Sequence, residues 1–258
     1  GHCCCSSGMQ HRTADDQQRV YTILSIAVTA ALGGFLFGYD TAVINGAVTA
    51  IETTFQTSAS LLGLTVSSAL LGSAAGALGA GWLADRFGRR PSMLLAAVMF
   101  LLSAVGSALA PRLVDLVLWR VLGGVAVGFA SVLAPAYIAE ISPAAMRGRT
   151  GSLQQLAIVL GIFVSLLFNY LIVLVTADQE PKSLVGPMAA WRWMLMAEVV
   201  PALLYGVLVL SIPESPRYLV QIGALDQARA VIRRTIGESP QAMINRIKAS
   251  QGNAGGGS

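Results

Sequence analysis

Four stretches of this chain, residues 20–39, 61–84, 91–111 and 150–177, contain no Asp, Glu, Lys or Arg. A helix needs about 20 mostly apolar residues to cross the hydrocarbon core of a bilayer, and each stretch is long enough to do so. Two further apolar runs complete the set: 113–139, interrupted by Asp115 and Arg120, and 193–213, interrupted by Glu198. Only 12% of the 258 residues are charged, against about 25% in ordinary soluble proteins, which excludes a disordered or ordinary cytosolic chain. Backbone amides inside lipid must be satisfied by the chain itself, and unbroken runs of this length do that as helices rather than barrel strands. The expectation is an all-α membrane protein with six transmembrane helices, followed by short cytoplasmic helices.

The basic residues set the orientation. With the N-terminus inside, 13 of the 17 Lys and Arg fall in inner segments, Arg112, Lys182 and Arg192 in outer ones, and Arg120 within a span. The positive-inside rule then places both termini in the cytoplasm of a multi-pass cell-membrane protein. This asymmetry accounts for the net charge of +4 without invoking nucleic acid.

The expected organisation is a disordered polar leader over 1–19, the bundle over 20–213, a cytoplasmic helical segment over 214–250 and a flexible tail over 251–258. The leader precedes a run long enough to span, so it reads as a lead-in rather than a cleaved signal. Cys3, Cys4 and Cys5 are consecutive and cannot pair with other cysteines of the chain. They read either as a palmitoylation cluster or as a vector-derived lead-in before Met9. Ser215–Pro216 and Ser239–Pro240 are cap and first-turn pairs, and Gly223 is a stop signal. Leu225, Ala228, Ile232 and Thr235 trace one face of an amphipathic helix over 224–236.

Inside the spans, Gly34 and Gly38, Gly72 and Gly76, and Gly124 and Gly128 recur at four-residue spacing, which lets helix backbones approach closely. A charge at the bilayer centre costs about 2.5 to 3.5 kcal/mol even on the mildest scale, so Asp40, Arg120 and Glu198 carry the most weight. Counting from the span ends puts Asp40 near the outer end of the first span. Arg120 and Glu198 lie about 10 Å deep at about 1.5 Å per residue, so the three share a layer. They read either as a static ion pair or as a proton site, in which Asp40 ionises when Arg120 is near and is protonated when it turns away. Gln154, Gln155 and Asn169, with Tyr39 and Asn45, can hydrogen-bond hydroxyls or tie helices together. Gln155 is the preferred ligand of a polyol. Phe37, Trp191 and Trp193 can stack on a sugar ring or sit at the interface.

These motifs resemble the sugar porters of the major facilitator superfamily. Gly33–Gly46, GGFLFGYDTAVING, is similar to the first helix of the proton-coupled members, and the resemblance implies that Asp40 is the coupling acid. Gly81–Pro91, GWLADRFGRRP, resembles the signature between the second and third helices. WRVLGG at 119–124 implies that Arg120 is the partner of that acid. Glu140 with Arg147, Gly148 and Arg149, and PESPR at 213–217, resemble the cytoplasmic charge network. That network implies a gate formed by Asp85, Arg86, Arg89, Arg90, Glu140, Arg147, Arg149, Glu214 and Arg217. LQQLAIVLG at 153–161 implies a sugar contact at Gln155, and Phe37 matches a sugar-contacting aromatic. The run WRWMLMAEVVPALL, with Glu198, is most similar to the bacterial xylose–proton symporters of the family.

Family members have twelve spans, so the resemblance implies the amino-terminal half of a proton-coupled pentose or hexose symporter. Its partners would be a monosaccharide, a proton, the lipid bilayer, and either the missing carboxy-terminal half or a second copy of the chain, since the two halves are parallel repeats. A facilitative uniporter, a sensing or regulatory half-transporter and an inert fragment remain as other readings. An enzyme is not expected. His2 and His11 sit in the polar leader, the Cys cluster lacks partners at metal-ligand spacing, and no phosphate-cradling loop is present, so neither metal nor cofactor is expected.

Overall fold

A computed structural model describes residues 6–141, 147–176, 188–235 and 239–254. The expectations that fall on Cys3, Cys4 and Cys5 and on 255–258 of the tail lie outside them, whereas 251–254, expected as part of the flexible tail, are helical. Every regular element among the described residues is helical, and six segments are long and apolar enough to span a membrane.

Helix α1 runs from Ser6 to Phe55 without a break. Residues 6–19 of the leader expected to be disordered are therefore a helical extension of the first span. No Gly or Pro occurs between Met9 and Leu32, and adding residues to an existing helix avoids the cost of a new nucleus. The apolar span itself reaches from Leu24 to Phe55, so Asp40 lies at its middle and not near its outer end. Asp40 itself had ended the charge-free run, and the largely apolar residues after it continue the span.

Helix α2 (Ala59–Phe87) starts at Ser58, whose hydroxyl accepts from the Leu61 amide. Helix α3 (Arg89–Leu109) follows after Gly88, which has φ +101°. Only glycine takes that angle without strain. Helices α4 (Leu113–Ile141) and α5 (Arg147–Thr176) are the fourth and fifth spans.

The sixth span is broken into α6 (Ala190–Met196) and α7 (Val199–Ser211). Pro201 explains the break, because its ring crowds the carbonyl four residues back, that of Ala197, and it has no amide to offer. Glu198 and Val200 accordingly bond three residues back, to Leu195 and Ala197.

The bundle is held by close backbone crossings. A Cβ on Gly72 or Gly76 of α2 would meet the carbonyls of Val121 and Val125 of α4. One on Gly124 or Gly128 would meet those of Ala69 and Ser73. Gly38 of α1 and Gly161 of α5 oppose each other's helix in the same way, at Ile158 and Phe35. Helix α3 packs between α4 and the sixth span. Large apolar side chains cover the outside, among them Leu71, Leu78 and Val200, as expected where the solvent is lipid.

Beyond the sixth span, α8 (Pro216–Gln221) starts at Ser215, whose hydroxyl accepts from the Arg217 amide, and Gly223 at φ +80° follows its end. Helix α9 (Leu225–Thr235) buries Ala228, Ile232 and Thr235. With α10 (Pro240–Ala254) and α8 it forms a satellite core of Leu219, Val220, Ala228, Ile232, Ile244 and Ile247.

Candidate functional site

Asp40, Arg120 and Glu198 are brought together from α1, α4 and the break in the sixth span, and each is at most 2% exposed. Arg120 Nη1 donates to Asp40 Oδ1 at 2.6 Å, and Nη2 donates to the Asp40 carbonyl at 3.2 Å. The Glu198 carboxyl is close enough to interact with both Asp40 and Arg120. Asp40 Oδ2, Arg120 Nε and Glu198 Oε1 have no hydrogen-bond partner among the described residues. Unsatisfied groups at this depth are costly. Two carboxyls thus face one guanidinium, with donor and acceptor capacity to spare.

Gly123, one turn beyond Arg120, makes room for Ser103 beside the pair. A Cβ there would run into the Ser103 hydroxyl and lie 3.7 Å from Asp40 Oδ1. Ser103 in turn donates to the Trp119 carbonyl at 2.8 Å. Sequence reasoning missed both Gly123 and Ser103, although Gly123 stands three residues from Arg120 in the WRVLGG run.

A cavity of about 120 Å³ leads to the pair and is lined by Phe37, Asp40, Thr41 and Asn45 of α1, Ser73 of α2 and Arg120 of α4. Phe37 thus shares a wall with the acid. Tyr39 instead faces the sixth span, with its hydroxyl 3.5 Å from the Met194 carbonyl. Trp191 is buried against Phe55, and its indole donates to Thr54 Oγ1 at 3.2 Å.

The amides of α5 separate into two groups. Gln154 is buried, with its side chain against Gly34 of α1. Asn169 is buried and donates to the Val43 carbonyl at 3.1 Å. Both occupy the α1–α5 crossing, the place of the helix-tying reading of these amides. Gln154, Ile158, Gly161, Ser165 and Asn169 recur at helical spacing, so they form the stripe that meets α1. Gln155, one residue on, is exposed on the flank of that stripe.

At the end of the bundle holding the α2–α3 turn, charges and caps interlock. Arg89 bonds Glu140 at 3.1 Å and reaches Asp85 at 3.3 Å. Glu214 accepts from the amides of Arg89 and Ser215 at 2.9 and 2.8 Å and from the Arg90 amide, so it caps α3 and joins it to α8. A carboxylate suits a helix N-terminus, where the amides and the helix dipole are both unpaired. The Arg90 guanidinium donates to the carbonyls of Val209 and Leu210 at the end of α7. Ser215 donates to Glu140. Arg86 lies over the rings of Trp82 and Phe87, Arg149 is exposed, and Arg147 opens α5. Arg217 lies in the first turn of α8, where its backbone amide donates to the Ser215 hydroxyl at 3.2 Å.

Residues 26–254 match the family described as sugar (and other) transporter. The chain is 56% identical over 228 residues to the "Glucose transport protein" of Synechocystis sp., covering 88% of this chain and 49% of that one. It is 40% identical over 243 residues to the "D-xylose-proton symporter" of Escherichia coli (strain K12), covering 84% and 48%. A solved structure of the major facilitator superfamily proton:xylose symporter bound to 6-bromo-6-deoxy-D-glucose aligns with a TM-score of 0.84 at 37% identity, over 93% of this chain and 55% of that one. A partially occluded inward-open form of the xylose transporter from E. coli aligns at 0.83, also at 37% identity, over 90% and 60%. The chain spans about half the length of the relatives it matches.

Proposed function

This chain belongs to the sugar transporter family and has the fold of the amino-terminal half of the major facilitator superfamily, and from that premise we propose that it serves as that half of a proton-coupled symporter for a pentose or hexose. The observation that carries the reading is the buried contact of Arg120 with Asp40 at 2.6 Å, with Glu198 beside it. Relatives named as D-xylose–proton and arabinose–proton symporters support the coupling, and the relative named as a glucose transport protein supports a hexose among the cargoes.

In this reading Asp40 carries the proton. Its carboxylate is stabilised while Arg120 is paired with it, and it takes up a proton when Arg120 shifts toward Glu198. The cavity beside Phe37 joins this event to the sugar, with Gln155 and Phe37 as sugar contacts and Gln154 and Asn169 holding the wall they stand on. Glu140, Glu214, Asp85, Arg86, Arg89, Arg90, Arg147, Arg149 and Arg217 form the cytoplasmic gate, with both chain termini on that side of the cell membrane. The carboxy-terminal half supplies the second wall, since alternating access needs two bundles rocking about a site between them.

The test is Asp40→Asn in the intact transporter reconstituted into liposomes. Uphill accumulation driven by a pH gradient should be lost while sugar counterflow persists. Unchanged accumulation would refute the assignment.

A further inference from the structure

We propose that the groove between α1, α5 and the broken sixth span is a binding site for one acyl chain of a bilayer phospholipid, in the leaflet opposite the α2–α3 turn. The groove encloses about 680 Å³, within the range of specific small-molecule sites. Its lining runs down one face of α6 and α7 through Trp193, Met196, Val200 and Leu204, with Phe35 of α1 and Phe168 of α5 as the other walls. No charged residue lines it, and of its two polar side-chain groups the Tyr39 hydroxyl faces the Met194 carbonyl and the Trp193 indole nitrogen is buried.

Two features single out a lipid tail. Trp193 to Leu204 is eleven residues, about 16 Å at about 1.5 Å per residue, and one leaflet of a hydrocarbon core about 30 Å thick is about 15 Å deep. Trp193 stands one turn inside the span that begins at Ala190, the level at which tryptophans meet the headgroup boundary. The groove also passes the break: Ala197 and Pro201 line it. A bound chain would therefore touch the segment that carries Glu198.

The experiment is photolabelling of the intact transporter in nanodiscs of phosphatidylethanolamine and phosphatidylglycerol that contain a phospholipid with a diazirine along its acyl chain. Adducts would be mapped by mass spectrometry. Labelling should concentrate on Met196, Val200 and Leu204, several-fold above Val207 and Leu78, which are exposed outside the groove. Val200→Trp, which fills the groove, should abolish the excess, whereas Leu78→Trp should not. Uniform labelling of exposed apolar residues would overturn the proposal. So would protection of the groove by the carboxy-terminal half, or an excess that survives Val200→Trp. None of these readouts depends on sugar or proton movement.

Discussion

Arg120 on α4 holds Asp40 on α1 at two points, its carboxylate at 2.6 Å and its backbone carbonyl at 3.2 Å, and Glu198 stands beside the pair. The guanidinium is the one member of this cluster that cannot give up its charge, whereas either carboxyl can neutralise itself with a proton. Removing acids should therefore harm the fold more than removing the base. Asp40→Asn alone leaves Glu198 to face Arg120. Asp40→Asn with Glu198→Gln leaves a buried cation with no anion and should cost about 3 to 5 kcal/mol, more than the sum of the two single changes. Arg120→Leu should cost less than that double variant. Unfolding of the purified transporter in a double-mutant cycle reads all three, and additive single effects would mean that Glu198 does not take over Arg120.

The glycine crossings predict a second contrast. A Cβ on Gly124 would meet the Ala69 carbonyl, while one on Gly63 of the same helix pair meets nothing within 4 Å. Gly124→Val should cost at least about 1 to 3 kcal/mol, because backbone cannot give way as a side chain can. Gly63→Ala should be neutral or stabilising by up to about 1 kcal/mol through helix propensity. Melting temperatures of the two variants decide it.

The neighbouring glutamines separate binding from packing. Gln155 is exposed and Gln154 lies against Gly34. Gln155→Ala should raise the KM for sugar by roughly tenfold, the worth of one or two hydrogen bonds, with little change in melting. Gln154→Ala should lower the melting temperature and leave the KM nearly unchanged. A reversed pattern would place Gln154 on the sugar.

Much of this arrangement was legible in the residues. Four of the spans showed as charge-free runs and two as apolar runs with one or two charges, the packing faces as glycines four apart, and two of the short helices of the carboxy-terminal segment as Ser–Pro starts. What escaped reading has physical causes. A rule that ends a span at a charge stops at Asp40, yet the charge is neutralised by Arg120 and the helix continues to Phe55. The direction in which Gln154 and Asn169 face depends on which neighbour α5 meets. The stripe they share with Gly161 marks a packing face, but that α1 is the helix packed on it is set by the tertiary fold. Gly123 and Ser103 act through the space they leave or fill beside the pair, and residue type alone does not report space.

The break in the sixth span gives the last prediction. Pro201 removes an amide and crowds the Ala197 carbonyl, so Glu198 and Val200 make only three-residue bonds at 3.3 and 3.2 Å. Pro201→Ala supplies the missing donor and relieves the crowding, and in a helix interior that exchange is worth up to about 3 kcal/mol. The helix should then close through 197–201, with slower amide exchange at Glu198 and Val200. Rewinding the turn rotates the backbone at Glu198, whose carboxyl now sits by Asp40 and Arg120. Coupled accumulation should therefore fall while counterflow of sugar continues, in the same direction as Asp40→Asn but with the Asp40–Arg120 pair intact. Hydrogen exchange and liposome uptake on the same preparation test the two halves of this argument. Slowed exchange with full accumulation would show that Glu198 needs no break to do its work.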